Sequence, residues 1–221
     1  MKEIHQLLII LFISQYVKGQ TLPLSNSALK NNWERVYIKD VGNIDIPSTM
    51  EVQTGNMKTF IDEQRNIIGY DGTQITIQQA GLNDRNPESF NKYARVMLDT
   101  YFGKNGDYEK LNFNITLLSE SEINQTNIEM KSQMIQSLSG TDIKIIEWYG
   151  TSLEKVNGMS CIHFSYKRQS SSNPFVLVHM YYFQNYDRTY RLTMSYRLND
   201  EIFWKSDFAD ILNSFRIINI K

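Results

Sequence analysis

Cysteine and histidine are scarce in this 221-residue chain, and their scarcity excludes several kinds of chemistry. Cys161 is the one cysteine, so no disulfide can form within the chain. Of the three histidines, His163 and His179 alone lie beyond the N-terminal segment. The sequence also lacks a cysteine pair, a His-Glu-x-x-His motif, a Gly-x-Ser-x-Gly motif and a glycine-rich phosphate loop. These absences predict a protein that is not an enzyme and that carries no cofactor.

The chain also has almost no net charge. The formal net charge is −1, from 23 Lys and Arg against 24 Asp and Glu. A nearly neutral chain has no general electrostatic attraction for nucleic acid or for an anionic membrane. We therefore expect no nucleic-acid partner, and the length suits one domain with a real core.

The N-terminal segment has the pattern of an export signal. Lys2 precedes the apolar run Leu7–Val17, and the small residue Gly19 precedes a cleavage site at Gln20. The run is too short for a transmembrane helix, which takes about 20 apolar residues. We predict that residues 1–19 are a signal peptide and expect no membrane insertion after its cleavage. The protein is then periplasmic or secreted, and a lone cysteine favours a bacterial periplasm or outer surface.

The rest of the chain is predicted to hold a mobile lead-in, residues 20–32, and a single α+β domain, residues 33–221. Its last third alternates apolar and polar residues in three stretches, which predicts three antiparallel strands. Their apolar faces are Ile162, Phe164 and Tyr166, then Val176, Val178, Met180 and Tyr182, then Tyr190, Leu192, Met194 and Tyr196. Pairing Phe164 with Val178 and Met180 with Leu192 keeps one apolar face continuous.

Helices are predicted at three places. The stripe Trp204, Phe208, Ile211, Leu212 and Phe215, which follows Asn199 and Asp200, predicts an amphipathic helix that covers the sheet. A capping box begins at Ser119, and Asn86-Pro87-Glu88 predicts the start of a helix that extends to Tyr101.

Further strands are predicted at residues 33–38, 41–52, 74–79 and 143–149. The second of these is expected to have a bend or a sheet edge at Pro47. Residues 54–72 are predicted to be mostly loop. A short strand is predicted at Thr151–Lys155, and the Asn157-Gly158 pair predicts a tight hairpin. The sum is about seven strands and three helices, which predicts an α+β fold with an antiparallel sheet flanked by helices.

Two segments resemble the PsbP-like superfamily, whose type member is an extrinsic protein of the photosystem II oxygen-evolving complex. One is Gly42–Val52, which reads Gly-Asn-Ile-Asp-Ile-Pro-Ser-Thr-Met-Glu-Val, and the other is the terminal strands and helix with the ending Asn213-Ser214-Phe215-Arg216. Met50 stands where members of the superfamily often have an aromatic residue. The resemblance implies an α/β/α sandwich in a small exported bacterial member, with binding or accessory roles and no catalytic residues to carry over.

One sheet face carries the residues with the most chemistry. The predicted register places His163 directly opposite His179, about 5 Å apart at Cβ, with Cys161 on the same face. These three residues predict a metal site, although a structural zinc ion takes four ligands. Two other interpretations are a Cys161–His179 nucleophilic pair and a sheet face that carries no chemistry.

The preferred hypothesis is an exported, non-enzymatic binding or accessory domain. It would engage an unknown protein partner or small ligand through a sheet face or a groove between sheet and helix. The alternative is a metal-binding protein or metal-dependent enzyme that uses Cys161, His163 and His179.

Overall fold

The computed structural model describes residues 29–55, 58–60, 62–63, 72–108 and 119–218. The strands in these ranges are β1 (Trp33–Ile38), β2 (Gly42–Pro47), β3 (Met50–Val52), β4 (Gly72–Gln79), β5 (Ala94–Phe102), β6 (Ile143–Val156), β7 (Met159–Ser170), β8 (Val176–Asn185), β9 (Arg188–Arg197) and β10 (Arg216–Ile217). The two long helices are α1 (Glu120–Ser137) and α2 (Glu201–Ser214). The predicted signal peptide and most of the predicted lead-in lie outside the described residues.

Two antiparallel sheets organise the fold. The larger has seven strands in the order β3-β4-β5-β9-β8-β7-β6, and the smaller has three in the order β1-β2-β10. Helix α1 packs on one face of the large sheet, while α2 and the small sheet cover the other. The predicted class, an antiparallel sheet between helices, is therefore confirmed.

Both faces of the large sheet are buried in its central strands, so the domain has two hydrophobic cores. On the α1 side, Met130 and Met134 pack against the apolar residues of β7 and β8. On the α2 side, Trp204, Phe208 and Ile211 pack against β5, β9 and the small sheet. Each fully buried apolar side chain of this kind contributes about 1.5–3 kcal/mol to folding. The stripe predicted for α2 is thus the stripe that faces the core.

Pro47 lies where the chain passes from one sheet to the other. It ends β2, where it pairs with Trp33, and β3 begins three residues later in the large sheet. A proline lacks the amide hydrogen that would continue the ladder, so the pairing stops there. The bend predicted at Pro47 is confirmed.

The helix predicted from Asn86 to Tyr101 is wrong. The Asn86 side chain does cap a turn, accepting from the amide of Glu88, but that turn is a short 3₁₀ helix, Pro87–Asn91. The chain then enters β5, an inner strand whose alternate residues Ala94, Val96 and Leu98 are buried in the α2-side core. Burial of that alternating face outweighs a helical spacing of aromatic residues that arose by chance. Positions 58–60 and 62–63, within the predicted loop, are helical.

The predicted pairing of β8 with β9 is wrong by one residue. Met180 lies opposite Thr193, and Leu192 lies opposite Tyr181. The turn holds two residues, since Asn185 pairs with Arg188, and this places the apolar set of β9 on the α2 side. The β7–β8 pairing is shifted by two residues, so Phe164 lies opposite Met180 and stays on the predicted face. A shift of one residue exchanges faces, whereas a shift of two preserves them.

Strand β6 combines two predicted strands into one. Its pairing with β7 shifts between Ile145 and Glu147 and again between Trp148 and Gly150, so two bulges interrupt it. The hairpin turn predicted at Asn157-Gly158 is confirmed, with φ of 52° and 79°. The capping box predicted at Ser119 is confirmed as well, because its side chain accepts from the amide of Glu122.

Candidate functional site

The two predicted histidines meet on the α2-side face of the large sheet. In the register, His163 lies opposite Tyr181, and His179 lies opposite Ser165, so the predicted direct pairing is wrong. The rings nevertheless reach each other diagonally, with His163 Nε2 at 3.0 Å from His179 Nδ1. Tyr181 stacks on the His163 ring with centroids 4.4 Å apart. The predicted proximity of the two imidazoles is thus present, by a different geometry.

Strand β6 supplies the other half of this cluster. Glu154 Oε1 lies 2.8 Å from His163 Nδ1, and Ser152 donates to the same carboxylate oxygen at 2.7 Å. The Ser152 hydroxyl is also 3.2 Å from His163 Nδ1. We call Ser152, Glu154, His163 and His179 the histidine chain, because hydrogen bonds connect them in a line across three strands.

Ser152 and Glu154 were not among the residues singled out in the sequence, although the sequence holds a signal for them. The Asn157-Gly158 turn pairs Val156 with Met159. Counting outward from that pair places Glu154 beside Cys161 and Ser152 beside His163. The turn alone therefore predicts which side chains of β6 face the histidines.

The surroundings set the charge of each group in the histidine chain. Burial, together with the neighbouring His163, lowers the pKa of His179 from 6.5 to about 4. Burial alone would raise the pKa of Glu154, but hydrogen bonds from Ser152 and His163 outweigh it and lower that pKa. At neutral pH the histidine chain thus joins an ionised carboxylate at one half-buried end to a neutral imidazole at the other. Such an arrangement can hold or pass a proton between its ends.

Cys161 does not join the histidine chain in any hydrogen bond that the described residues show. It is fully buried in the α2-side core, and burial raises the pKa of its thiol to about 12. A thiol of that pKa stays protonated at neutral pH, which disfavours the predicted Cys161–His179 nucleophilic pair. Across the described ranges, no group of three or more His, Cys, Asp or Glu residues is arranged to hold a metal ion.

A second feature is a groove of about 570 Å³ between the C-terminal part of α1 and the outer edge of β6. Six apolar residues line it, and the charged side chains of Lys131, Lys144 and Glu147 line it as well. The apolar residues are Ile135, Leu138, Ile143, Ile145, Ile146 and Trp148. Ile135 and Ile146 are 53% and 45% exposed. Trp148 anchors the floor by donating from its indole nitrogen to Asn127 Oδ1 at 2.8 Å and by stacking on Phe164.

Comparisons with known proteins give a likeness of fold. No protein-family model matches the chain. No curated protein matches it either. The cyanobacterial PsbP protein (CyanoP) of Synechocystis sp. PCC 6803 has a similar structure, at a TM-score of 0.47 and 10% identity over 90% of this chain and 98% of that one. A crystal structure from Bacteroides thetaiotaomicron is similar at a TM-score of 0.41 and 7% identity, over 79% of this chain and 44% of its own.

Within the described residues, no helix is both long and apolar enough to cross a membrane.

Proposed function

We propose that this protein is an exported, non-enzymatic accessory domain that binds an extended segment of a partner protein. The observation that carries the proposal is the groove between α1 and the outer edge of β6, with its six apolar lining residues. Export is supported by the sequence of residues 1–19, and the accessory role agrees with the absence of a recognised catalytic motif from the sequence.

The groove fits an extended peptide because one of its walls is a strand edge. β6 is the last strand in the order of the large sheet, and in the described ranges no strand pairs with its outer edge. A peptide laid along that edge would gain main-chain hydrogen bonds, and its alternate side chains would enter the apolar groove. The two bulges in β6 limit the length of regular pairing, so the bound segment is short.

The experiment selects peptides from a random library against the full chain and measures their affinity by calorimetry. We expect extended sequences with alternating apolar residues, whose binding perturbs NMR signals of residues 135–148. Ile146→Lys should weaken binding at least about tenfold, since a charge would enter an apolar contact. Ile202→Lys is the matched control, because Ile202 is 86% exposed on α2, away from the groove. Peptides that bind both variants equally would refute the proposal.

The metal-binding alternative stays a prediction for His163 and His179. Their contact at 3.0 Å shows that the two imidazoles are close enough to share an ion. To bind a metal ion, His163 Nε2 and His179 Nδ1 would each have to give up their mutual hydrogen bond. The Cys161 thiol would also have to lose its proton, which its raised pKa disfavours.

A further inference from the structure

The α1-side face of the large sheet is apolar beneath the helix and polar beyond it. Helix α1 covers the apolar part of this face on β6, β7 and β8. The neighbouring part, on β4, β5 and β9, presents polar side chains that are nevertheless buried. They include Thr76, Gln78, Asp99, Thr193 and Ser195. A buried polar surface of this extent requires hydrogen-bond partners.

Three arginines lie on this polar part. Arg191 on β9 pairs directly with Asp99 on β5, Arg95 on β5 pairs with Ser195 on β9, and Arg168 extends from β7. Tyr93 connects them: its hydroxyl lies 3.3 Å from Ser195 Oγ and 3.5 Å from Arg168 Nη2. The Arg95 guanidinium lies 5.7 Å from the centre of the Tyr93 ring. We call Arg95, Arg168 and Arg191, with Tyr93 and Tyr166, the arginine face.

The carboxylate of Asp99 on this face is already occupied. Asp99 is fully buried, and its Oδ2 accepts from Arg191 Nε at 3.1 Å and Nη2 at 2.9 Å. Its Oδ1 accepts from the Gln74 side chain at 2.6 Å. Both carboxylate oxygens are thus engaged by Arg191 and Gln74, which leaves them little capacity for Arg95 or Arg168.

Donors on the arginine face exceed acceptors. Arg95 Nε is buried and has no hydrogen-bond partner among the described residues. The buried Tyr166 hydroxyl reaches weak sulfur acceptors, with Met134 Sδ at 3.5 Å. Arg168 makes a long hydrogen bond to the Tyr93 hydroxyl and interacts electrostatically with the carboxylate of Asp142. That carboxylate already accepts hydrogen bonds from Ser170 and Ser171. Leaving a buried donor unpaired is costly, so this face is suited to an acceptor that comes from outside the chain.

We propose that the arginine face binds a small organic anion through its carboxylate or phosphate group. The planar guanidinium groups of Arg95 and Arg168 donate to the oxyanion, and the Tyr93 and Tyr166 hydroxyls complete its coordination. Arg191 remains paired with Asp99 and holds the floor of the site in place. The neighbouring Arg197 takes no part, since it donates to the carbonyls of Phe90 and Asn91. This site is separate from the groove at β6 and does not depend on the function proposed for it.

The test measures melting temperature and calorimetric binding of the full chain with inorganic phosphate, succinate and citrate, each against sodium chloride of equal ionic strength. We expect at least one of these anions to raise the melting temperature in a saturable way. Arg95→Met should weaken that anion about tenfold or more, because a charged donor is lost. It should change the melting temperature of the anion-free protein little, since Arg95 Nε has no hydrogen-bond partner to lose and the ring contact with Tyr93 is long.

Lys155→Met is the matched control, because it removes one positive charge from an exposed position on β6. It should retain full affinity, as should Ile146→Lys in the groove, and the latter result separates this site from the peptide groove. If Arg95→Met folds poorly, Arg168→Met provides the same test. The proposal is overturned if no anion acts beyond sodium chloride, or if both arginine variants bind the anion as tightly as the unmodified chain.

Discussion

The lowered pKa of His179 makes the stability of the fold depend on pH in a defined window. Its pKa is about 4 in the folded protein, against 6.5 for the unperturbed side chain. Protonation therefore favours the unfolded state once the pH falls below 6.5, and the loss continues until the pH reaches about 4. For this one group, the free energy of unfolding should fall by about 2.5 kcal/mol between pH 7 and pH 4.5.

The perturbation that isolates this effect is His179→Phe, which keeps an aromatic ring beside His163. Urea unfolding at pH 7 and pH 4.5 gives, for each protein, the change in the free energy of unfolding between the two pH values. Subtracting the change of the variant from that of the unmodified protein removes the contribution of the other titrating groups. His163 and Glu154, which face His179, are present in both proteins. The cost of leaving His163 Nε2 without His179 also enters at both pH values and cancels in large part.

We expect the variant to lose less stability than the unmodified protein on acidification, by about 2 kcal/mol. NMR titration of the imidazole signals should assign a pKa near 4 to His179 directly. Equal pH dependence in the two proteins, or a titration of His179 close to 6.5, would refute the reasoning. Either result would mean that water reaches the ring of His179 far more freely than its surroundings indicate.

Three other perturbations test separate parts of the structure. Ser119→Ala should destabilise the protein by about 1 kcal/mol in urea because it removes the cap of α1, whereas the exposed neighbour Ser121→Ala should change stability by less than about 0.5 kcal/mol. Gly42→Ala should destabilise by about 1–3 kcal/mol or more, since the new Cβ would lie 1.8 Å from the Arg216 carbonyl oxygen; a neutral result would show that β10 moves freely. Zinc should not raise the melting temperature, because both nitrogens of His163 are hydrogen-bonded; stoichiometric zinc with a stabilisation that His163→Ala abolishes would instead support the metal-binding alternative.

The sequence predicted the positions of the strands better than it predicted which face of each strand packs against which helix. Period-2 alternation located β7, β8 and β9, but it could not say which face of each strand meets which helix. In β8, Val178 and Met180 are buried on the α1 side while Tyr181 and Phe183 are buried on the α2 side. A strand that is apolar on both faces carries no parity signal, so the two-residue turn alone decides the register.

β5 shows a different limit. The spacing of Phe90, Tyr93 and Met97 fits a helix, yet Phe90 is exposed in the folded protein and contributes nothing to a helical core. The strand assignment depends on partners far away in sequence, since β5 pairs with β9 as well as with β4. Contacts of that range are invisible in a local window.

One part of the candidate site was predicted from the sequence, and another part was not. The contact between His163 and His179 was predicted from strand parity, and parity survives a register error of two residues. The arginine face could not be predicted, because Arg95, Arg168 and Arg191 belong to three strands whose spatial order differs from their order in the chain. From the sequence alone, an arginine on a strand is expected to face solvent, and only the arrangement of the neighbouring strands can show otherwise.

The pairing of β2 with β10 has a consequence for how the chain can fold while it is being made or exported. Gly42 lies opposite Ile217, so the small sheet joins residues from the two ends of the described chain. Its central strand emerges early from a ribosome or a translocation channel, yet must wait for the final residues before its second neighbour exists. Until then, Ile44 and Ile46 lack α2 and would be exposed to other chains. A chain synthesised N-terminus first is therefore expected to complete its α2-side core in one late step.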